Sequence, residues 1–136
     1  MPPSLIDTDI LSEILKQKDA VIVERASQYL KEHQQFAISS ITRYEVLRGL
    51  KLKTATVQLQ NFEPFCRHSI VFAVTDEILD LAADLWVAGQ RDGRPSRDAD
   101  LMIAATALSH GYTLVTGNTR HFNWIRDLDI ANWRET

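Results

Sequence analysis

Four acidic residues stand where a carboxylate can do chemistry. Asp7 closes the first apolar run, Glu45 sits within ISSITRYEVLRGL, and Asp98 and Asp100 open DADLMIAATALSH. Thr116 ends the run YTLVT, and Asn118 follows in the next loop. Carboxyl, hydroxyl and amide oxygens are hard ligands. With no histidine pair at ligand spacing, such a set suits Mg²⁺ or Mn²⁺ far better than Zn²⁺. Gathered in one crevice, these carboxylates call for a cation, because like charges raise one another's pKa and oppose full ionisation. A divalent ion held there lowers the pKa of a bound water and neutralises a phosphate.

Each of these residues also has a plain structural reading. Thr42 and Glu45 have the spacing of a capping box. Asp98 and Asp100 stand where any helix favours acids. Residues two apart on a helix point roughly 200° apart, so one ion can take only one of them: Asp100 is assigned to the metal and Asp98 to capping or an outer role. Asp7 could be a turn or cap residue, Asn118 a loop former, and Asp9 a first-turn helix acid. His33, His68, His110 and His121 show no ligand spacing; only His121, in the loop after Asn118, is placed to reach a substrate phosphate.

The elements that must position these groups alternate. Strand-like runs are expected at Ser4 to Asp7, Gln35 to Ser40, Ser69 to Val74, Tyr112 to Thr116 and Leu128 to Ala131. Helical spacing is expected over Thr8 to Gln17, Asp19 to His33 with Val21, Ile22, Ala26 and Leu30 inward, Arg43 to Lys53, and Thr54 to Phe65. Thr75 caps a clear amphipathic helix with Ile78, Leu81, Ala82 and Leu85 on one face. RDGRPS is a loop, Asp98 to His110 is apolar nearly all round and so a buried helix ending at Gly111, and Gly117 to Phe122 is a loop. Alternating strands and helices imply a parallel sheet covered on both faces, with the ligand site off the carboxyl ends of its strands. Asp7, Glu45, Thr116 and Asn118 all fall at such ends.

The chain has 136 residues, 45% hydrophobic and 24% charged, which predicts one soluble domain spanning residues 1–136 and excludes a disordered tail. No apolar run reaches the roughly 20 residues of a membrane span, and MPPSLIDTDIL lacks the pattern of a secretory signal, so a cytoplasmic location is expected. The single Cys66 has no disulfide or zinc partner and reads as a buried apolar residue. A net charge of −3 excludes nucleic-acid binding by bulk charge. It leaves room for a local basic rim, for which Arg43, Arg48, Lys51 and Lys53, or Arg91, Arg94 and Arg97, are candidates; either set could equally be a solvated face.

LIDTDILSEIL, ISSITRYEVLRGL, DADLMIAATALSHGYTLVTGNTRHF and LDIANW carry, in series, an early Asp-Thr, E-x-x-x-G, D-x-x-I-A-A and T-x-N-x-x-x-F. In this order they resemble the PIN-domain ribonucleases and, among them, the VapC-like toxins of type II toxin–antitoxin pairs. The resemblance implies a three-layer α/β/α sandwich with a central parallel sheet. It also implies Mg²⁺-dependent RNA cleavage, with Mn²⁺ as substitute, leaving a 5′-phosphate and a 3′-hydroxyl, as well as a homodimer and a small VapB-like antitoxin partner. Carried over by motif position, Asp7, Glu45 and Asp100 form the catalytic and metal-binding set, with Thr116 as the hydroxyl ending its strand. A fourth acid of many PIN domains falls at Asn118, and Arg43, Arg97 and Arg120 are the arginines for flanking phosphates. Two other readings compete. A haloacid-dehalogenase-type phosphohydrolase shares Asp-Thr-Asp after a strand, but Leu11 stands where its hydroxyl is expected. A receiver-like Mg²⁺-binding interaction module needs a lysine after a late strand, where this chain has GNTRHF.

Overall fold

A polar residue at the end of an apolar run can stop a strand and start a helix, by turning its side chain onto the next free amides. The computed structural model, which describes residues 1–135, uses this device repeatedly. Strand β1 (Ser4–Ile6) is wholly buried, and Asp7 caps α1 (Thr8–Lys16) by accepting from the Thr8 amide. Asp19 caps α2 (Ala20–His33) through the Val21 and Ile22 amides. After β2 (Ala37–Ser39), Ser39 caps α3 (Ser40–Leu52), and α4 (Thr56–Arg67) leads to β3 (Ile70–Phe72). Thr75 caps α5 (Asp76–Arg91), and α6 (Asp98–His110) ends at Gly111, whose φ of 68° is the left-handed conformation that glycine adopts without strain. Strand β4 (Thr113–Val115), α7 (Thr119–Phe122) and β5 (Ile130–Ala131) complete the chain.

The five strands are all parallel in the order β3-β2-β1-β4-β5. Alternation along each strand sends side chains to opposite faces. Ile6, Ile38 and Val115 join Ile10, Ile22, Val46 and Phe62 on one side, whereas Leu5, Ala37 and Leu114 meet Ile103, Ala104 and Phe122 on the other. Helices therefore cover both faces, and the expected three-layer sandwich is observed. Cys66 is buried, as expected. From β1 the chain winds outward to β2 and β3, then returns to the other side for β4 and β5. The reversal lies between β1 and β4, the kind of switch point where a doubly wound sheet leaves a crevice at its carboxyl edge.

Three expectations need correction. Leu30 is 38% exposed and Tyr29 takes the inward position at 2%, because Ile22, Ala26 and Tyr29 lie at i, i+4 and i+7 on the buried stripe. The Tyr29 hydroxyl also accepts from the Ser4 amide at 2.9 Å. Helix α3 begins at Ser40 rather than Arg43, so Thr42 is inside the helix and Ser39 holds the cap. The segment after Asn118, expected as a loop, closes one helical turn through the Asn123 amide to the Thr119 carbonyl at 2.9 Å. Among the described residues no helix is long and apolar enough to cross a membrane.

Candidate active site

The two strands that flank the switch point deliver Asp7 and Thr116 to each other. Asp7 is 4% exposed; its Oδ1 accepts from the Thr8 amide and its Oδ2 from the Thr116 hydroxyl, both at 2.8 Å. The Asn118 amide donates to Thr116 Oγ1 at 3.0 Å, which leaves that hydroxyl's single proton for Asp7. Burial nevertheless pushes the Asp7 carboxyl up to about 6; the Thr116 hydrogen bond opposes this, and the charges of Asp9 and Asp100 add to it.

Glu45 comes from the second turn of α3. The Thr8 hydroxyl donates to its Oε1 at 2.8 Å and lies 3.2 Å from the hydroxyl of buried Thr42. The capping-box reading of Glu45 therefore fails: its carboxylate reaches across to the start of α1, not back along its own helix. Asp100, 5% exposed, opens α6. Arg97 ties these two acids together, with Nη2 at 3.1 Å from Asp100 Oδ1 and 3.8 Å from Glu45 Oε2. The hydrogen bond and charge of Asp100 hold this guanidinium firmly in its charged form. His121 Nδ1 lies 3.2 Å from Asp100 Oδ2.

Sequence reasoning thus named residues that meet, with exceptions. Arg43 pairs with Glu63 of α4 at 3.5 Å and is not brought to the acids. Asp98 lies on the exposed side of α6, beside Leu79, Trp86 and Met102. Asn118 enters the network through its backbone amide. Arg120 lines a cleft with Arg97 and Asp100. Asp9 was undervalued as a helix acid. Its Oδ2 accepts from the Gly117 amide at 2.9 Å, while its Oδ1 is buried without a hydrogen-bond partner. A Cβ on Gly117 would stand 2.5 Å from Asp9 Oδ2 and 2.9 Å from Arg134 Nε, so a side chain there would push both aside. Thr8 stands in the Asp-Thr motif but has no role assigned from sequence; its amide donates to Asp7 and its hydroxyl to Glu45. No short-range pattern points to the side-chain contacts of Asp9 and Thr8, because their partners lie on other elements.

Among the described residues, no three carboxylate, imidazole or thiol groups converge closely enough to hold one ion as the side chains stand. The chemistry of the donors still fits a hard divalent cation. The ligands are oxygen only, Asp7 and Asp100 are buried acids, Asp7 resists ionisation, and Asp9 Oδ1 lacks a partner. Arg48 and Arg97 lie 3.5 and 3.8 Å from Glu45 Oε2 and Arg134 lies 3.9 Å from Asp9 Oδ2, whereas among the described residues no cationic side chain pairs with Asp7.

A five-stranded parallel sheet with an acidic crevice at its switch point defines a doubly wound α/β protein whose candidate site lies at the carboxyl edge. Residues 4–127 match the PIN domain family, and the chain belongs to that family. It is 31% identical over 124 residues to ribonuclease VapC19 of Mycobacterium tuberculosis, covering 91% of this chain and 95% of the relative. Ribonuclease VapC1 of Haemophilus influenzae is 29% identical over 136 residues, covering 95% and 96%. The crystal structure of DNA-bound VapBC from Salmonella typhimurium superposes with a TM-score of 0.84 at 28% identity, covering 98% of this chain and 99% of that one. The resemblance seen in the motifs is thereby borne out, and the phosphohydrolase and receiver readings give way to it. Membership of this family implies use of a divalent metal ion.

Proposed function

We propose that this protein is a metal-dependent endoribonuclease acting as the toxin of a type II toxin–antitoxin pair, with RNA as substrate and a small VapB-like antitoxin as partner. What supports the reading is that Asp7, Glu45 and Asp100 lie at the carboxyl edge of the sheet, linked through Thr8 and Arg97, in a chain whose relatives are VapC ribonucleases. Mg²⁺, with Mn²⁺ as substitute, fits the oxygen-only donor set, and Asp7 and Asp100 would hold it directly. When bound, the ion supplies the charge that activates a water and neutralises the scissile phosphate.

The remaining work falls to the chain itself. Thr116 and the Thr8 amide hold both Asp7 oxygens, so the carboxylate cannot rotate away from the crevice. Glu45, held by Thr8, orients the attacking water. Arg97 and Arg120 line the rim beside Asp100, where the flanking phosphates of an RNA strand would lie. Single-stranded or loop bases are the readable part of such a substrate. A homodimer, as implied by the motif resemblance, completes the proposal.

Growth provides the test. Expression of the protein alone is expected to arrest growth, and co-expression of the small gene encoded beside it is expected to relieve the arrest and yield a co-purifying complex with suppressed nuclease activity. Unimpaired growth with abundant folded protein, or two separate proteins on a sizing column, contradicts the reading.

A further inference from the structure

Beside Asp100 lies a cleft of about 220 Å³, between the turn joining α5 to α6 and the segment around α7. Arg94, Arg97, Arg120, His121 and Trp124 line it, together with Pro95 and Ser96 of the turn. The chain carries net negative charge, yet this wall gathers three guanidinium groups. Arg97 is engaged with Asp100 and Glu45. Among the described residues Arg94 and Arg120 form no ion pair, so their charge faces the cleft and solvent.

The wall is built rather than loosely draped. The Arg94 amide donates to the Gly89 carbonyl at 2.7 Å, which folds the turn back onto the end of α5. A Cβ on Gly89 would stand 2.7 Å from the Arg94 carbonyl oxygen and 3.2 Å from Trp124 Cη2, so the bare glycine lets both turn and indole close onto the helix. Trp124 is half-buried, and its Nε1 donates to the His121 carbonyl at 2.9 Å, which fixes the ring's orientation. Fixed aromatic surface with unpaired arginines is what a single-stranded nucleic acid requires: a flat group for a base and cations for its phosphates.

We propose that this cleft binds the nucleotide next to the scissile phosphate, with Arg94 and Arg120 on the RNA backbone and the indole of Trp124 against one base. The inference rests on the ribonuclease reading above and adds to it the place where base preference arises. Phosphate contacts set register, whereas contact with a base is what can discriminate.

Indole fluorescence isolates the site. Trp133 is 3% exposed and Trp86 47%, so in a Trp86→Phe protein Trp124 is the indole a ligand can reach. This protein is titrated with a short single-stranded RNA in Ca²⁺, with gel analysis to confirm that the RNA stays intact, and its cleavage of the same RNA in Mg²⁺ is measured alongside. Saturable quenching is expected. By anisotropy of labelled RNA, Arg94→Ala and Arg120→Ala are each expected to weaken binding and to reduce the slope of log K against log salt by about 1. Trp124→Leu, which keeps apolar cover over Gly89, is expected to weaken binding by about fivefold or more and to flatten the base preference at one position of the cleavage pattern, while Trp124→Phe retains most of both.

Cleavage with no change in Trp124 emission overturns the cleft and leaves the ribonuclease reading standing. Quenching without cleavage in Mg²⁺ overturns the ribonuclease reading and leaves an RNA-binding cleft. Neither signal overturns both. Arginine variants with unchanged affinity and salt slope also overturn the cleft.

Discussion

Replacing Asp7 by asparagine is expected to stabilise the metal-free protein while abolishing its activity. Asp7 titrates near 3.8 when exposed and is pushed up to about 6 in the fold, chiefly by burial. Below the lower value both states are protonated and the group costs nothing. As pH rises through about 6 the folded protein must ionise a buried acid, and stability is lost. The difference of about 2 units corresponds to about 3 kcal/mol at neutral pH. Asparagine has the shape of the protonated acid: its oxygen can still accept from the Thr8 amide, and the Thr116 hydroxyl can accept from its NH₂ group. In EDTA the variant and the parent are therefore expected to match near pH 4, to diverge between pH 4 and 6, and to differ by about 2–3 kcal/mol above that, or a midpoint about 5–10 °C higher. Urea unfolding across this pH range measures it directly. A variant less stable than the parent at pH 7.5, or a gap that does not change with pH, would refute the argument that Asp7 is an acid under strain awaiting a cation.

Asp100→Asn and Glu45→Gln are each expected to reduce RNA cleavage at least about 100-fold with the fold intact, since the charge they remove is worth several kcal/mol to a phosphoryl transition state; initial rates on a defined RNA read this. Ca²⁺ at equal concentration is expected not to replace Mg²⁺, because it accepts more ligands at longer distances and misplaces the water; full cleavage in Ca²⁺ alone contradicts this. Asn118→Asp adds a carboxylate beside the Thr116 hydroxyl and is expected to tighten metal binding, and calorimetric titration with unchanged stoichiometry and affinity would place the side chain outside the site.

Much of this molecule is legible along the chain because its local and global signals agree. Asp19 and Thr75 are capping residues by type and cap as expected. The apolar stretch of α6 is buried as its composition demands, and the alternation of strands and helices leads to the parallel sheet that places Asp7 and Thr116 side by side. The errors arise where the deciding contact is remote. Ser40 reads as the close of a strand and Thr42 as a capping residue, yet both belong to the first turn of α3, where buried Thr42 meets the Thr8 hydroxyl of α1. Asp9 looks like any helix acid until its Gly117 partner, 108 residues on, arrives beside it. Arg43 and Arg97 are indistinguishable as basic rim residues in sequence, but Glu63 draws one away and Asp100 holds the other. Trp124, in the turn after α7, gains its place from Gly89 on α5.

Hydrolysis of RNA at the Asp7, Glu45 and Asp100 crevice, as proposed, depends on a divalent ion. Purified protein, free of antitoxin, is incubated with total RNA in Mg²⁺, in excess EDTA, and in EDTA followed by restored Mg²⁺. Discrete cleavage products, intact RNA and recovered cleavage are expected, in that order. Cleavage that persists in EDTA, or intact RNA in Mg²⁺ with folded protein, would contradict the proposal.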